Sequence, residues 1–175
     1  MQDFRSLLPK FEKYIADRQL SFEAVIIGGA AMQLLGLTDR VTKDCDVLSP
    51  KITTELKNAA NDFAKQHQLA EGWLNNGPET LIRDLPGDWQ KNIVVLYEGK
   101  NLKLFTLARL DFLRSKLYAF VDRGIDLQDL LKLKPSKAEI DELRGWLKAR
   151  DGNPDWPEYV EIRLTELTKE VDGDS

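Results

Sequence analysis

Apolar residues return every three or four positions through the first part of the chain, placing Phe4, Leu7, Leu8, Phe11 and Ile15 on one stripe. That period predicts an amphipathic helix over 3–19, with Pro9 early enough to serve in its first turn. The pattern then changes. Ala24-Val25-Ile26-Ile27 has no polar face and reads as a buried strand over 23–27. It runs into Gly28-Gly29 and a short helix over 30–35, which Gly36 stops. Asp44-Cys45-Asp46-Val47-Leu48 has a period of two, with Cys45 and Val47 on one side and Asp44 and Asp46 on the other. Pro50 closes that strand. A helix over 54–68 follows, then an irregular stretch, 69–91, punctuated by the turn signals Asn75-Asn76-Gly77-Pro78 and Leu85-Pro86-Gly87-Asp88. Residues 92–97 and 102–105 read as strands around the turn Glu98-Gly99-Lys100-Asn101. Beyond them the chain is helical, over 107–121, 137–149 and 156–171, with Ser136 and Glu139 spaced as a capping box.

These elements predict an α+β fold: a mixed sheet flanked by helices, with a C-terminal helical region. The expected organisation is a core over 1–106 with its N-terminal helix, helices over 107–171 packed on that core, and a flexible tail over 172–175.

Composition narrows the function classes. With 42% hydrophobic and 31% charged residues, the chain has material for a core and a solvated surface. Its formal net charge of -4 fits neither a histone-like wrapper of nucleic acid nor a polybasic membrane anchor. One cysteine excludes an intrachain disulfide framework, and with one histidine it cannot assemble a zinc finger. No run approaches the ~20 apolar residues of a membrane span, and the first residues lack the apolar core of a signal peptide. The expectation is a cytoplasmic protein with no membrane partner.

The chemistry centres on Asp44 and Asp46. One residue apart on a strand, their carboxylates emerge on one face, where they repel unless a cation lies between them. Mg2+, or Mn2+ in its place, suits such hard oxygen donors and shares itself with substrate phosphates. Gly28-Gly29, at a strand end opening into a helix, offers backbone N–H groups to a triphosphate. Arg40 and Thr42 precede the acidic pair, within reach of phosphates or of the acids. The glycines do not follow the P-loop spacing, so this grip on phosphate is of another kind. Trp73, Trp89, Trp146 and Trp156 either pack or stack a base. Lys132, Lys134, Lys137, Lys148 and Arg150 give the C-terminal helices a modest basic character suited to polynucleotide contact.

Ile27-Gly28-Gly29-Ala30-Ala31 followed by Arg40-Val41-Thr42-Lys43-Asp44-Cys45-Asp46 resembles the signature of the DNA polymerase β-type nucleotidyltransferase superfamily. Within it, the chain is similar to the AbiEii-like and DUF6036-type nucleotidyltransferase toxins. Their later motif has a lysine, an arginine seven residues on, then two aspartates three apart; here these are Lys116, Arg123, Asp126 and Asp129. The resemblance covers 23–131. It implies that Gly28 and Gly29 bind nucleotide phosphates, that Asp44 and Asp46 bind metal, and that Lys116 contacts phosphate. Asp129, or Asp126 in its place, would be a catalytic base or third carboxylate. The implied reaction moves a nucleoside monophosphate from a nucleoside triphosphate to an acceptor hydroxyl on an RNA end (tRNA in particular) or on a protein. A toxin of this kind is partnered by a cognate antitoxin. Two departures stand out: Ile125 occupies a position where the family carries a basic residue, and the only acid around the later strands, Glu98, sits in a turn. A catalytically silent fold member, acting as a regulatory or antitoxin-like binding module, is the alternative.

From the residues alone, Lys116 lies beside the apolar stripe of its helix and equally reads as a snorkelling side chain. Asp126 reads as an N-cap with Asp129 facing the helix amides. Arg123 reads as a salt-bridge partner of Asp122, Asp126 or Asp129.

Overall fold

The apolar run at 24–27 forms the middle of a sheet in the computed structural model, which describes residues 3–173. Its strands are β1 (Phe22–Ile27), β2 (Cys45–Ser49), β3 (Leu74–Asn75), β4 (Val94–Glu98) and β5 (Leu102–Thr106). They lie side by side in the order β3-β2-β1-β5-β4. The sheet is mixed: β1 is antiparallel to β2 and parallel to β5, β2 is parallel to β3, and β4 and β5 form an antiparallel hairpin. The chain divides into two units with the break between Ala108 and Arg109, and this sheet belongs to the first.

Side-chain alternation gives the sheet two unlike faces. Phe22, Ala24 and Ile26 share one face with Val47, Leu102 and Leu104, and all six are buried. The other face carries Glu23, Asp46, Ser49 and Phe105, which are exposed or half-buried. A β-bulge at Leu48 reconciles the two. Val25 pairs with Ser49 and Ile26 with Val47, so Leu48 is the extra residue and is buried beside Val47.

Helices α1 (Phe4–Ala16), α2 (Gly28–Leu34) and α3 (Thr54–His67) complete the first unit. Phe11 of α1 meets Phe63 of α3 at 5.1 Å and Trp73 edge-on at 5.1 Å. Trp73 also carries the core to the sheet, since its carbonyl accepts from Cys45 N at 2.6 Å. Pro9 lies inside α1, not in its first turn, because Asp3 caps the helix one residue before Phe4. The ring removes one intrahelical donor, and burial of Leu7, Leu8, Phe11 and Ile15 carries the helix through it. The stretch 69–91 contains more than turns. It holds β3 and two 3-10 segments, Gly77–Asp84 and Trp89–Asn92.

The second unit is helical: α4 (Arg109–Arg123), α5 (Leu127–Leu133), α6 (Lys137–Lys148) and α7 (Trp156–Gly173). Leu113, Leu117 and Phe120 of α4, Leu143 and Leu147 of α6, and Val160, Leu164 and Leu167 of α7 are buried. The Ser136–Glu139 capping box opens α6, and the Trp156 indole donates to Leu147 O at 2.8 Å. Helix α7 reaches Gly173; the last of the expected tail, 174–175, lies outside the described residues.

Candidate active site

The site in the first unit is built where β1 ends. Ile27 pairs with Asp46 across the β1–β2 ladder, and Asp46 pairs in turn with Asn75 on β3. Asp46 therefore projects from the open face beside the start of α2. Gly28 stands there with φ +76°, a conformation that strains any residue with a Cβ. A Cβ on Gly28 would come 2.7 Å from Asp46 Oδ2. A Cβ on Gly29 would come 2.9 Å from Thr42 Oγ1. The Asp46 carboxylate and the Thr42 hydroxyl thus occupy the space that a side chain at Gly28 or Gly29 would enter.

Thr42 is half-buried, and its hydroxyl donates to Asp44 O at 3.4 Å, joining the 40–46 segment to the same corner. Asp44 is exposed immediately before β2, while Asp46 is half-buried on it. Cys45, between them, is buried; desolvation, and then the charges of Asp46 and Asp44, push its thiol well above the ordinary range. It is a core residue and no thiolate nucleophile. Arg40 is exposed, with its backbone N–H donating to Thr38 Oγ1 at 3.1 Å.

Asn75 and Gly77 form a wall of this corner that the sequence reading treats only as a turn. Asn75 Oδ1 accepts from Gly77 N at 2.7 Å, and a Cβ on Gly77 would lie 3.9 Å from Asp46 Oδ1. The apolar pair Trp73-Leu74 before Asn75-Asn76-Gly77 is the signal that could have found it, but two residues are too short a strand to show a period. Asn76 braces the same turn by donating to Val47 O and Pro50 O at 3.0 and 3.1 Å.

The later motif forms a cluster inside the second unit. Lys116 is 5% exposed, and its Nζ lies 2.7 Å from Asp129 Oδ2 and 3.3 Å from Asp126 Oδ2. It does not snorkel. Burial of an ammonium is tolerated here because two carboxylates face it. Asp126 does hold the N-cap position of α5, but with φ +72° and no side-chain capping bond; its carboxylate turns to Lys116 instead. Asp129 is likewise buried against Lys116. Arg123 stands apart, 4.0 Å from Asp122.

A family described as nucleotidyltransferase of unknown function (DUF6036) matches residues 2–141. The chain belongs to that family. The DUF6036 match spans the glycine–aspartate corner of the first unit and the Lys116–Asp126–Asp129 cluster of the second; α7 lies beyond it. No curated protein and no solved structure matches the chain significantly.

The acids at this corner are Asp44 and Asp46. Among the described residues no group of three or more His, Cys, Asp or Glu side chains is assembled. No described helix is long and apolar enough to cross a membrane.

Proposed function

We propose that this DUF6036 protein transfers a nucleoside monophosphate from a nucleoside triphosphate to an acceptor hydroxyl, with Mg2+ or Mn2+ held by Asp44 and Asp46. The observation that carries this reading is the Asp46 carboxylate set beside Gly28, in the space that a Cβ there would enter. When bound, the ion would screen phosphate charge and stabilise what develops as the new bond forms. The chain's own residues bind and orient. Gly28 and Gly29 bring backbone close to the triphosphate, Thr42 offers a hydroxyl, and Arg40 a guanidinium. Lys116 is the proposed phosphate contact and Asp129 the proposed base; a phosphate reaching Lys116 would take the place of one of its two carboxylate partners. The proposed acceptors are an RNA end, tRNA among them, or a protein hydroxyl. In a toxin role the protein would have a cognate antitoxin as partner.

One observation favours a second reading, a catalytically silent binding module: no third acid joins a carboxylate cluster among the described residues. Calorimetry with and without magnesium tests the primary reading independently of the acceptor. Magnesium should tighten nucleoside triphosphate binding, and Asp46→Asn should remove that gain while leaving the melting temperature unchanged or higher. Transfer of labelled nucleotide to small RNAs should fall by orders of magnitude in the same variant. Triphosphate binding indifferent to magnesium and to Asp46→Asn would overturn the proposal.

A further inference from the structure

The open face of the sheet carries a second feature a short distance from Asp46. A cavity of about 200 Å³ lies in the first unit, with walls from Val25, Pro50, Trp89, Ile93 and Phe105. Polar groups of Glu23, Ser49 and Gln90 line it as well. Directly paired residues share a sheet face. Val25 pairs with Ser49 and with Phe105, and Ile27 pairs with Asp46, so cavity and aspartate open on the same side. Because of the bulge, Ser49 and Asp46 face Val25 and Ile27, two residue steps apart on β1, which is about 7 Å at ~3.3 Å per residue.

Trp89 supplies an aromatic wall and a donor. Its ring is packed, the residue being only 5% exposed. The Trp73 and Trp156 indoles donate to Ala60 O at 2.9 Å and Leu147 O at 2.8 Å. That of Trp89 is not among the buried polar atoms that lack a partner, so it reaches water and can exchange that water for an acceptor on a ligand.

We infer that this cavity binds the heterocycle of a nucleotide whose phosphates lie at Gly28, Gly29 and Asp46. The inference rests on the transferase reading for the position of the phosphates, and deepens it by assigning a base site. The volume is below the roughly 300–1,000 Å³ of sites that enclose a whole drug-sized ligand, and suits one planar ring system. Trp89 and Phe105 supply aromatic surface for that ring. The Trp89 N–H meets a ring or carbonyl acceptor, and the Glu23 carboxylate accepts from an exocyclic amino group. Adenine, cytosine and guanine carry both functions; uracil lacks the amino group, so it binds least well.

Titrations in magnesium compare inorganic tripolyphosphate, the four nucleoside triphosphates, the free nucleosides, and trinucleotides with a free 3′-hydroxyl. Expected is at least tenfold tighter binding of an amino-bearing nucleoside triphosphate than of tripolyphosphate. Trp89→Phe, which keeps the ring and removes the donor, and Glu23→Gln, at an exposed position, should each cut that gain several-fold. Tripolyphosphate affinity should not change. A variant-sensitive gain found with trinucleotides and not with triphosphates assigns the cavity to the acceptor's base. Nucleoside binding without tripolyphosphate binding leaves the base site standing and removes the transferase reading. A base that adds no affinity in any ligand, or a gain untouched by both substitutions, overturns the inference.

Discussion

Gly28→Ala tests the corner most directly, because its cost splits into two parts that separate experimentally. The first part is backbone strain. At φ +76° a Cβ costs about 1–2 kcal/mol, and the usual gain of alanine over glycine in helices does not apply outside right-handed geometry. The second is the approach to Asp46 Oδ2, 2.7 Å from the new Cβ. To relieve it the carboxylate must leave its rotamer, at about 1 kcal/mol. The sum is a loss of about 2–3 kcal/mol. In an Asp46→Ala background only the first part remains, since the Asp46 Cβ itself is 3.8 Å away, an ordinary contact. The double-mutant cycle should therefore show about 1 kcal/mol of coupling between the two positions. Urea unfolding of the four proteins measures it, with amide exchange at Ile26 and Ile27 reporting on the first unit. Strict additivity, or a Gly28→Ala protein as stable as wild type, would refute the geometry on which the site rests.

Two further outcomes concern the second unit. Lys116→Met leaves Asp126 and Asp129 facing each other without their cation and should destabilise this unit by about 3 kcal/mol in denaturant unfolding. An unaltered unfolding curve with weakened triphosphate binding would instead make Lys116 a phosphate contact alone. Arg109 holds Glu139 well below its ordinary 4.5, at about 2, with Ser136 hydrogen bonds adding to the shift. A depressed carboxylate stabilises fully above its unfolded pKa and loses that contribution as pH falls toward the folded value. Because Arg109 is half exposed, the stability difference between wild type and Glu139→Gln at pH 7 should be no more than about 1 kcal/mol. It should shrink steadily as pH falls from 5 to 3; a difference that grows over that range would contradict the ion pair.

Much of the first unit was legible because its signals are periodic. The stripe of α1, the apolar run of β1 and the alternation in β2 each span four residues or more and read directly as elements. The pairing of acid with glycine was legible from spacing, but the distances that favour glycine at 28 depend on the β1–β2 register, which no local pattern encodes. β3 escaped because Leu74-Asn75 is too short to have a period, and with it went Asn75 and Gly77 as neighbours of Asp46. Lys116 reads as a snorkelling side chain from its helix and as a phosphate contact from its motif, and neither gives its burial. Its burial follows from two aspartates brought to it across the α4–α5 turn, and a left-handed Asp126 is a tertiary outcome that composition does not announce.

The bulge at Leu48 ties these observations together. In an unbroken strand, Asp46 and Leu48 would share one face, while Val47 and Ser49 shared the other. That register would set a large apolar side chain on the open face beside the acid and turn Ser49 into the core. The extra residue resolves the conflict: Val47 and Leu48 are both fully buried, and Ser49 returns to the face that carries Asp46. The same irregularity that lets the core keep two consecutive apolar residues thus aligns the aspartate corner with the cavity lined by Ser49, Trp89 and Phe105. The pairing of Val25 with both Ser49 and Phe105, and of Ile27 with Asp46, sets the acid and the cavity wall on one face, as the proposed base site needs.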